Sequence, residues 1–341
     1  MQYNMAFIGF GNVGKALARL LVDRSSALKD DFGIDWRITG VASRRIGWLA
    51  NPAGFDVEGL LEQGPSAAAS DSVSDVRSWM AAAQADVLFE MSSLDTVAGQ
   101  PAISYVEAAL IHGAHAVTAN KGTIVYGYRH LRDLAVSRGK GFRFESTVMD
   151  GAPIFSVFRE CLPLARVSGF QGILNSTTNF ILGEIEQGSS LEAAIRRAQE
   201  LGLAETDPAA DVDGFDAAVK IAAIVSVIMD YPIRLHDIAR EGIRGLDDAA
   251  VRAARQVGTP YKLVCRAERQ GSTVVASVRP EIVASDSPLG QVSGTSSIVH
   301  FDTDMLPGIT ITEHTPTPVT TAYGMLADFI GLAREDQRKR E

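Results

Sequence analysis

Cysteine is scarce in this chain. The 341 residues hold two, Cys161 and Cys265, far apart and without metal-ligand spacing around either. That excludes a disulfide framework and a zinc ribbon, and leaves buried, reduced thiols as the expectation. The histidines at 112, 115, 130, 236, 300 and 314 form no HxxxH or HExxH pattern, so no catalytic transition metal is expected. Positive charge is also in deficit. With 32 Lys and Arg against 41 Asp and Glu, the formal net charge is −9, and no basic stripe interleaves with aromatic residues. No nucleic-acid partner is expected on that balance. No apolar run reaches the length needed to cross a bilayer. The first residues read directly as a strand, without the charged and apolar regions of a signal peptide. No membrane partner is expected, and the cytoplasm is the expected location.

Apolar bulk is present in quantity, at 46% of the chain, and 341 residues exceed the usual size of one domain. Two domains are expected. Residues 3–9, YNMAFIG, read as a buried strand, followed by Gly9-Phe10-Gly11-Asn12-Val13-Gly14 and the helical pattern KALARLLVDRSSALK. A GxGxxG run alone is a weak signal, but strand, glycines and helix come in the order a dinucleotide site requires. The glycines allow a tight turn and close approach of backbone to a pyrophosphate at the helix N-terminus. Gly9, Gly11, Asn12, Val13 and Gly14 are therefore cofactor-binding candidates. The second strand, WRITGVAS (36–43), ends not on an acid but on Ser43-Arg44-Arg45. An acid there would bind the ribose 2′-hydroxyl of NAD; two guanidinium groups suit a 2′-phosphate and favour NADP, with NAD as the alternative. Two solvated surface arginines are the bland reading.

Residues 50–83 are polar and alanine-rich and are expected to hold short helices. The strand pattern ADVLFEMSS (85–93) ends at Glu90, Ser92 and Ser93, and AHAVTAN ends at Asn120-Lys121-Gly122. Ligands of an open parallel sheet bind beyond the carboxyl ends of strands, so Ser92, Ser93, Asn120 and Lys121 are placed near the cofactor's reactive end. Serines also cap helices, which is the competing reading. A helix over 128–138 and the segment GFRFESTV bring the nucleotide domain to an end near residue 148. The rhythm then changes to a helix, PIFSVFREC, and a strand running into Asn175-Ser176-Thr177-Thr178-Asn179 before another helix. That polar cluster can cap the helix or hold a small polar substrate. Alternating segments follow at 261–269, 272–283, 296–304 and 310–314, with a last helix and the tail REDQRKRE, which reads as a solvated charge run.

The densest chemistry lies in GLAETDPAADVDGFDAAVK, residues 202–220, with Glu205, Asp207, Asp211, Asp213 and Asp216 ahead of Lys220. Asp207-Pro208 and Asp213-Gly214 signal turns. Beyond Gly214 the apolar run FDAAVKIAAIVSVIM reads as a buried helix, which puts Asp216 and Lys220 at i and i+4, about 5–6 Å apart. A solvated ion pair is the bland reading. On a helix with almost no other polar residue, a lysine is either paired or chemically employed.

GFGNVG at the start, VTANKG at 117–122, GILNSTTNFIL at 172–182 and the 202–220 segment together resemble the homoserine dehydrogenase family, over nearly the whole chain. The resemblance is to short members without an aspartate-kinase region or an ACT domain. It implies an α/β protein: a Rossmann-type nucleotide domain, 1–148 completed by a C-terminal helix at about 319–341, and an α+β substrate and dimerisation domain, 149–318. The implied reaction is NAD(P)-dependent hydride transfer between aspartate 4-semialdehyde and homoserine, with a homodimer or larger homo-oligomer built on an apolar helix or sheet face. The resemblance gives Lys220 and Lys121 positions beside the reacting oxygen, with Asp216 accompanying the lysine. Glu205 and Asp211 would take the substrate ammonium, and Asn175 and Thr177 its polar end. Backbone carbonyls of Glu145, Val148, Asp150 and Ala152 match the family's site for a sodium ion. The chain departs from the family pattern at Met149-Asp150-Gly151, at Gly294-Thr295-Ser296-Ser297 and at His314-Thr315-Pro316-Thr317-Pro318. Those differences leave another small hydroxy acid, or a non-catalytic NADP(H)-binding sensor, as the alternatives.

Overall fold

The computed structural model describes residues 1–65, 71–95 and 97–340. Residues 66–70, part of the stretch expected to hold short helices, lie outside the described residues. The chain divides into two compact units, Met1–Gly151 with Thr317–Glu341, and Ala152–Pro316.

The first unit carries seven strands: β1 (Gln2–Ile8), β2 (Asp35–Ser43), β3 (Gly47–Ala50), β4 (Asp71–Val73), β5 (Val87–Glu90), β6 (His115–Thr118) and β7 (Phe142–Arg143). Their order is β4-β3-β2-β1-β5-β6-β7. The central pairs, β2-β1, β1-β5, β5-β6 and β6-β7, are parallel, while β3 and β4 are added antiparallel. Parallel strands are covered on both faces, which is why β5 and the end of β1 are uninterrupted runs of buried residues. Strand order reverses direction at β1, so a crevice opens at the carboxyl ends of β1 and its neighbours.

The helical pattern KALARLLVDRSSALK breaks at Arg24 into two helices, Asn12–Asp23 and Ser25–Phe32, and two further elements of this unit differ from the expectation. The helix expected over 128–138 begins at Lys121 and runs to Ser137, capped by the Asn120 side chain on the Gly122 N–H. Gly122 and Gly127 weaken its helical signal in sequence. Packing explains them: a Cβ on Gly122 would lie 2.9 Å from Gly99 Cα, and one on Gly127 would lie 3.1 Å from the Ile103 side chain. The charged tail is the second correction. The final helix spans Pro318–Arg338, so most of REDQRKRE belongs to it. At helical spacing from Phe329 and Leu332, Asp336 meets His115 Nε2 at 2.9 Å and the Tyr3 hydroxyl at 3.4 Å. Glu335 pairs with Arg143, and Arg334 stacks 4.8 Å from the Phe32 ring centre. This helix adds Ala322, Met325, Leu326, Phe329 and Leu332 to the core formed by Met5, Phe7, Leu17 and Phe89.

The second unit is built on β8 (Val167–Ile173), β9 (Ala239–Arg240), β10 (Tyr261–Gln270), β11 (Thr273–Ile282), β12 (Ser297–Thr303) and β13 (Ile309–Glu313), ordered β13-β12-β8-β10-β11-β9. All pairs are antiparallel except β11-β9. Helices Ser176–Glu186, Phe215–Val227 and Asp248–Gln256 contact the sheet. Ser168, Arg266, Glu268 and Asp302 are exposed, as period-two alternation requires of an uncovered face. Residues 217–219 and 221–225 of the helix Phe215–Val227 are buried inside this unit. Cys161 is exposed rather than buried, while Cys265 is buried. The helix expected over 153–161 forms over 155–161, and its last part, Val157–Cys161, widens into a π-helical turn with no buried residue.

Candidate active site

The glycine turn separates what the fold needs from what a ligand needs. Gly9 has φ +91°, and a Cβ there would lie 2.5 Å from the Met91 carbonyl oxygen. A Cβ on Gly14 would lie 2.4 Å from the Gly9 oxygen. Both positions are imposed by backbone packing. A Cβ on Gly11 would meet nothing within 4 Å. Gly11 caps the helix Asn12–Asp23 without a side-chain hydrogen bond, and its bare backbone leaves room for an anion at the first-turn N–H groups. Asn12 is exposed and Val13 is packed against the core.

A cavity of about 720 Å³ runs along these strand ends, lined by Gly9 and Gly11 between Ser43-Arg44-Arg45 and Ser92-Ser93. Ser43 shapes the first wall: its hydroxyl accepts the N–H of Arg45 at 3.3 Å and of Ile46 at 3.4 Å. Arg44 and Arg45 are exposed. Trp48 and Tyr105, edge to face at 5.4 Å, line the same cavity and were missed in the sequence. The β2-β3 hairpin, which pairs Ala42 with Trp48, was the signal that could have placed Trp48 there.

At the other wall Glu90, the last residue of β5, is fully buried. It accepts the Ser92 N–H at 2.9 Å, the Ser92 hydroxyl, and the Thr118 hydroxyl at 2.8 Å. Burial raises its pKa above the usual carboxylate value, against the lowering effect of those donors. Asn120 Nδ2 donates to the carbonyls of Ser92 at 3.1 Å and Ser93 at 3.3 Å, and Lys121 is the first residue of the helix that Asn120 caps.

In the second unit β8 delivers Asn175 to the start of the helix Ser176–Glu186. Its Oδ1 caps the helix through the Thr178 N–H at 2.8 Å. Its Nδ2 donates to Asp211 at 2.6 Å and Asp216 at 3.0 Å. Asp216 lies 3.4 Å from Lys220 Nζ, which donates to the Leu174 carbonyl at 2.6 Å. Asn175, Asp211, Asp216 and Lys220 are thus brought together, and Asn175 both caps and clamps. Thr177 donates to the Leu203 carbonyl at 2.9 Å, which ties down the loop before the acids. Glu205 is exposed, and no described hydrogen bond joins its side chain to this cluster. Asp213 also stands apart: its carboxylate takes a fork from Arg244, at 2.7 and 3.1 Å, which lowers its pKa.

One buried cation escaped the sequence reading. Lys262 in β10 donates to Asn179 Oδ1 at 2.8 Å and the Val292 carbonyl at 2.7 Å, and burial lowers its pKa. Asn179 in turn holds the Gly294 carbonyl at 3.0 Å. Of the residues implied for sodium, Glu145 and Val148 are buried, and the Glu145 N–H donates to Asp328 at 2.7 Å. Asp150 has φ +40°, and its side chain accepts from Thr321 at 2.9 Å. Ala152 is buried at the start of the second unit.

The family profile described as homoserine dehydrogenase matches residues 153–330, and that described as homoserine dehydrogenase, NAD binding domain, matches residues 9–145. The chain is 32% identical to an NAD(+)-dependent homoserine dehydrogenase of Pseudomonas canavaninivorans, covering 100% of this chain and 99% of that one. It is 30% identical to a homoserine dehydrogenase of Methanocaldococcus jannaschii, over 96% and 98% of the two chains. Among solved structures, a hyperthermophilic archaeal homoserine dehydrogenase in complex with NADPH superposes with TM-score 0.82 at 28% identity, over 98% of both chains. The enzyme of Thiobacillus denitrificans superposes with TM-score 0.85 at 25% identity, over 99% of this chain and 74% of that one.

Proposed function

The chain belongs to the homoserine dehydrogenase family, and on that footing we propose how its own residues divide the work. The enzyme is an NAD(P)-dependent oxidoreductase acting on a CH–OH group, interconverting L-homoserine and L-aspartate 4-semialdehyde. When bound, the nicotinamide supplies or accepts the hydride.

The first unit fits the dinucleotide. The open backbone at Gly11 and the uncapped helix beside it suit the pyrophosphate. With the pyrophosphate there, Ser43, Arg44 and Arg45 face the adenosine end, and Ser92, Ser93 and Asn120 the nicotinamide end. The two guanidinium groups favour NADP over NAD.

In the second unit Lys220 carries the chemistry. Reduction of the aldehyde builds negative charge on oxygen and consumes a proton, and an ammonium answers both needs. The Leu174 carbonyl and Asp216 hold that ammonium in place. Lys121 adds a second positive charge at the nicotinamide end. Asp211 and Glu205 take the substrate's amino group, Asn175 positions Asp211 and Asp216, and Thr177 orients the loop that carries Glu205. The observation that carries this reading is the single Asn175 amide bridging Asp211 and Asp216 beside Lys220. A sodium ion on the carbonyls of Glu145, Val148 and Asp150 is proposed with it, supported by the burial of the first two. The homodimer is proposed on the exposed face of the six-stranded sheet.

Steady-state assay of the purified protein with homoserine and NADP⁺ or NAD⁺, against a panel of short hydroxy acids, tests the reading. Turnover of homoserine with a preference for NADP⁺ is expected. Turnover confined to another hydroxy acid overturns the residue assignment.

A further inference from the structure

We propose that Glu90 is a positioning residue for the nicotinamide end of the cavity, fixing Ser92 directly and Asn120 through Thr118. The proposal rests on the reading of that end given above. Its geometry is a closed ring of hydrogen bonds. Glu90 takes the Ser92 N–H at 2.9 Å and the Thr118 hydroxyl at 2.8 Å. Thr118 Oγ1 accepts the Asn120 N–H at 3.0 Å. Asn120 Nδ2 returns to the Ser92 carbonyl at 3.1 Å, and its Oδ1 caps the Lys121 helix on the Gly122 N–H at 2.9 Å.

The ordinary alternative is a buried carboxylate that merely ties two strands together. The ladder already does that: Glu90 pairs with Thr118, and the Ala119 N–H reaches the Glu90 carbonyl at 3.0 Å. A fully buried carboxylate carries a heavy desolvation cost and adds nothing to the strand pairing. What it adds lies past the end of the ladder. Each of its contacts reaches a group that β5 and β6 cannot hold by main-chain pairing, namely the Ser92 turn and the hydroxyl that carries Asn120. All are donors, so a carboxylate satisfies them together, whereas a carboxamide presents its own N–H groups to one of them.

Glu90→Gln and Thr118→Val, singly and combined, test this in the full-length enzyme. Both single variants should melt as cooperatively as the parent and bind 2′,5′-ADP with unchanged affinity, since that fragment uses only the adenosine end. The kcat for homoserine should fall about 10- to 100-fold, the loss expected from one charge-assisted hydrogen bond. The primary deuterium isotope effect on hydride transfer should rise, and the double variant should lose less than the product of the single losses. Parental kcat and isotope effect in Glu90→Gln would overturn the proposal. So would parallel loss of 2′,5′-ADP and NADPH affinity, which marks general damage to the unit. If the parent enzyme turns over no homoserine, the functional reading fails by itself. Glu90 is then judged by binding alone: loss of NADPH affinity with 2′,5′-ADP affinity retained supports the proposal, and unchanged affinity for both overturns it.

Discussion

At the scale of single residues, Gly11 and Gly14 lie three apart but answer to different constraints. Gly11→Ala meets no described neighbour, so we expect an unchanged melting temperature with a KM for NADP⁺ raised ten-fold or more. Gly14→Ala would drive a methyl into the Gly9 carbonyl, and we expect loss of stability before any kinetic effect can be read. Thermal melts paired with cofactor titrations separate the two; equal melting behaviour would refute the division. Lys220→Ala should lower kcat by about 10²- to 10⁴-fold, as loss of a general acid does, while cofactor affinity persists. A near-parental kcat would mean the Asp216 pair is only structural. Replacing Arg44 and Arg45 by Ser should weaken NADP⁺ at least about ten-fold more than NAD⁺, the worth of a charge-assisted contact. Equal effects on both cofactors would reduce the pair to solvated charge. Residue types and the i,i+4 pair of Asp216 with Lys220 were legible in the chain, but partnerships between distant segments were not. Asp213 and Asp216 are three apart in one acidic run, yet Arg244 claims the first and Asn175 the second. Those partners lie 31 and 41 residues away, where no local periodicity reaches.

At the scale of elements, the final helix is held to β6 by a histidine whose charge state matters. His115 Nδ1 accepts the Gly141 N–H at 2.9 Å, so Nε2 carries the proton and donates to Asp336. Burial lowers the pKa of His115, outweighing the attraction of Asp336. The unfolded chain, with a histidine value of about 6.5, therefore binds the proton more readily than the folded one. Stability from this contact is whole above that pH and declines as pH falls through it toward the lowered folded value. Urea unfolding at pH 7.5 and 5.5 should show a loss of stability that His115→Gln largely abolishes. A slope that survives the substitution assigns the effect elsewhere. Most helices and the long antiparallel strands were legible from periods of 3.6 and 2, and the central parallel strands from short apolar runs. The short strands β3, β4 and β9 carry too few residues for either signal. The last helix was legible only in its apolar part. Glu335 and Asp336 gain meaning from Arg143 and His115, which composition alone renders as surface charge.

At the scale of the whole molecule, the second unit interrupts the first in sequence: residues 152–316 fall between the strands of the nucleotide sheet and the helix that completes their core. Residues 1–151 expressed alone should lack a cooperative thermal transition, because Phe7 and Phe89 lose Phe329 and its neighbours. Joining 1–151 to 317–340 through a short flexible linker should restore the transition and NADPH binding, and 152–316 should fold separately. A sharp melt for 1–151 by itself would show that the helix is an accessory. The same interruption sets a timetable for synthesis. On the ribosome the strands of the nucleotide sheet emerge first but wait, with their aromatic core uncovered, while the whole second unit is made and can close. Only when the final helix leaves the exit tunnel can the earliest-made sheet be sealed. A polypeptide that stops short of this helix is expected to leave Phe7 and Phe89 without Phe329, and limited proteolysis of residues 1–151 beside the full chain reads that exposure.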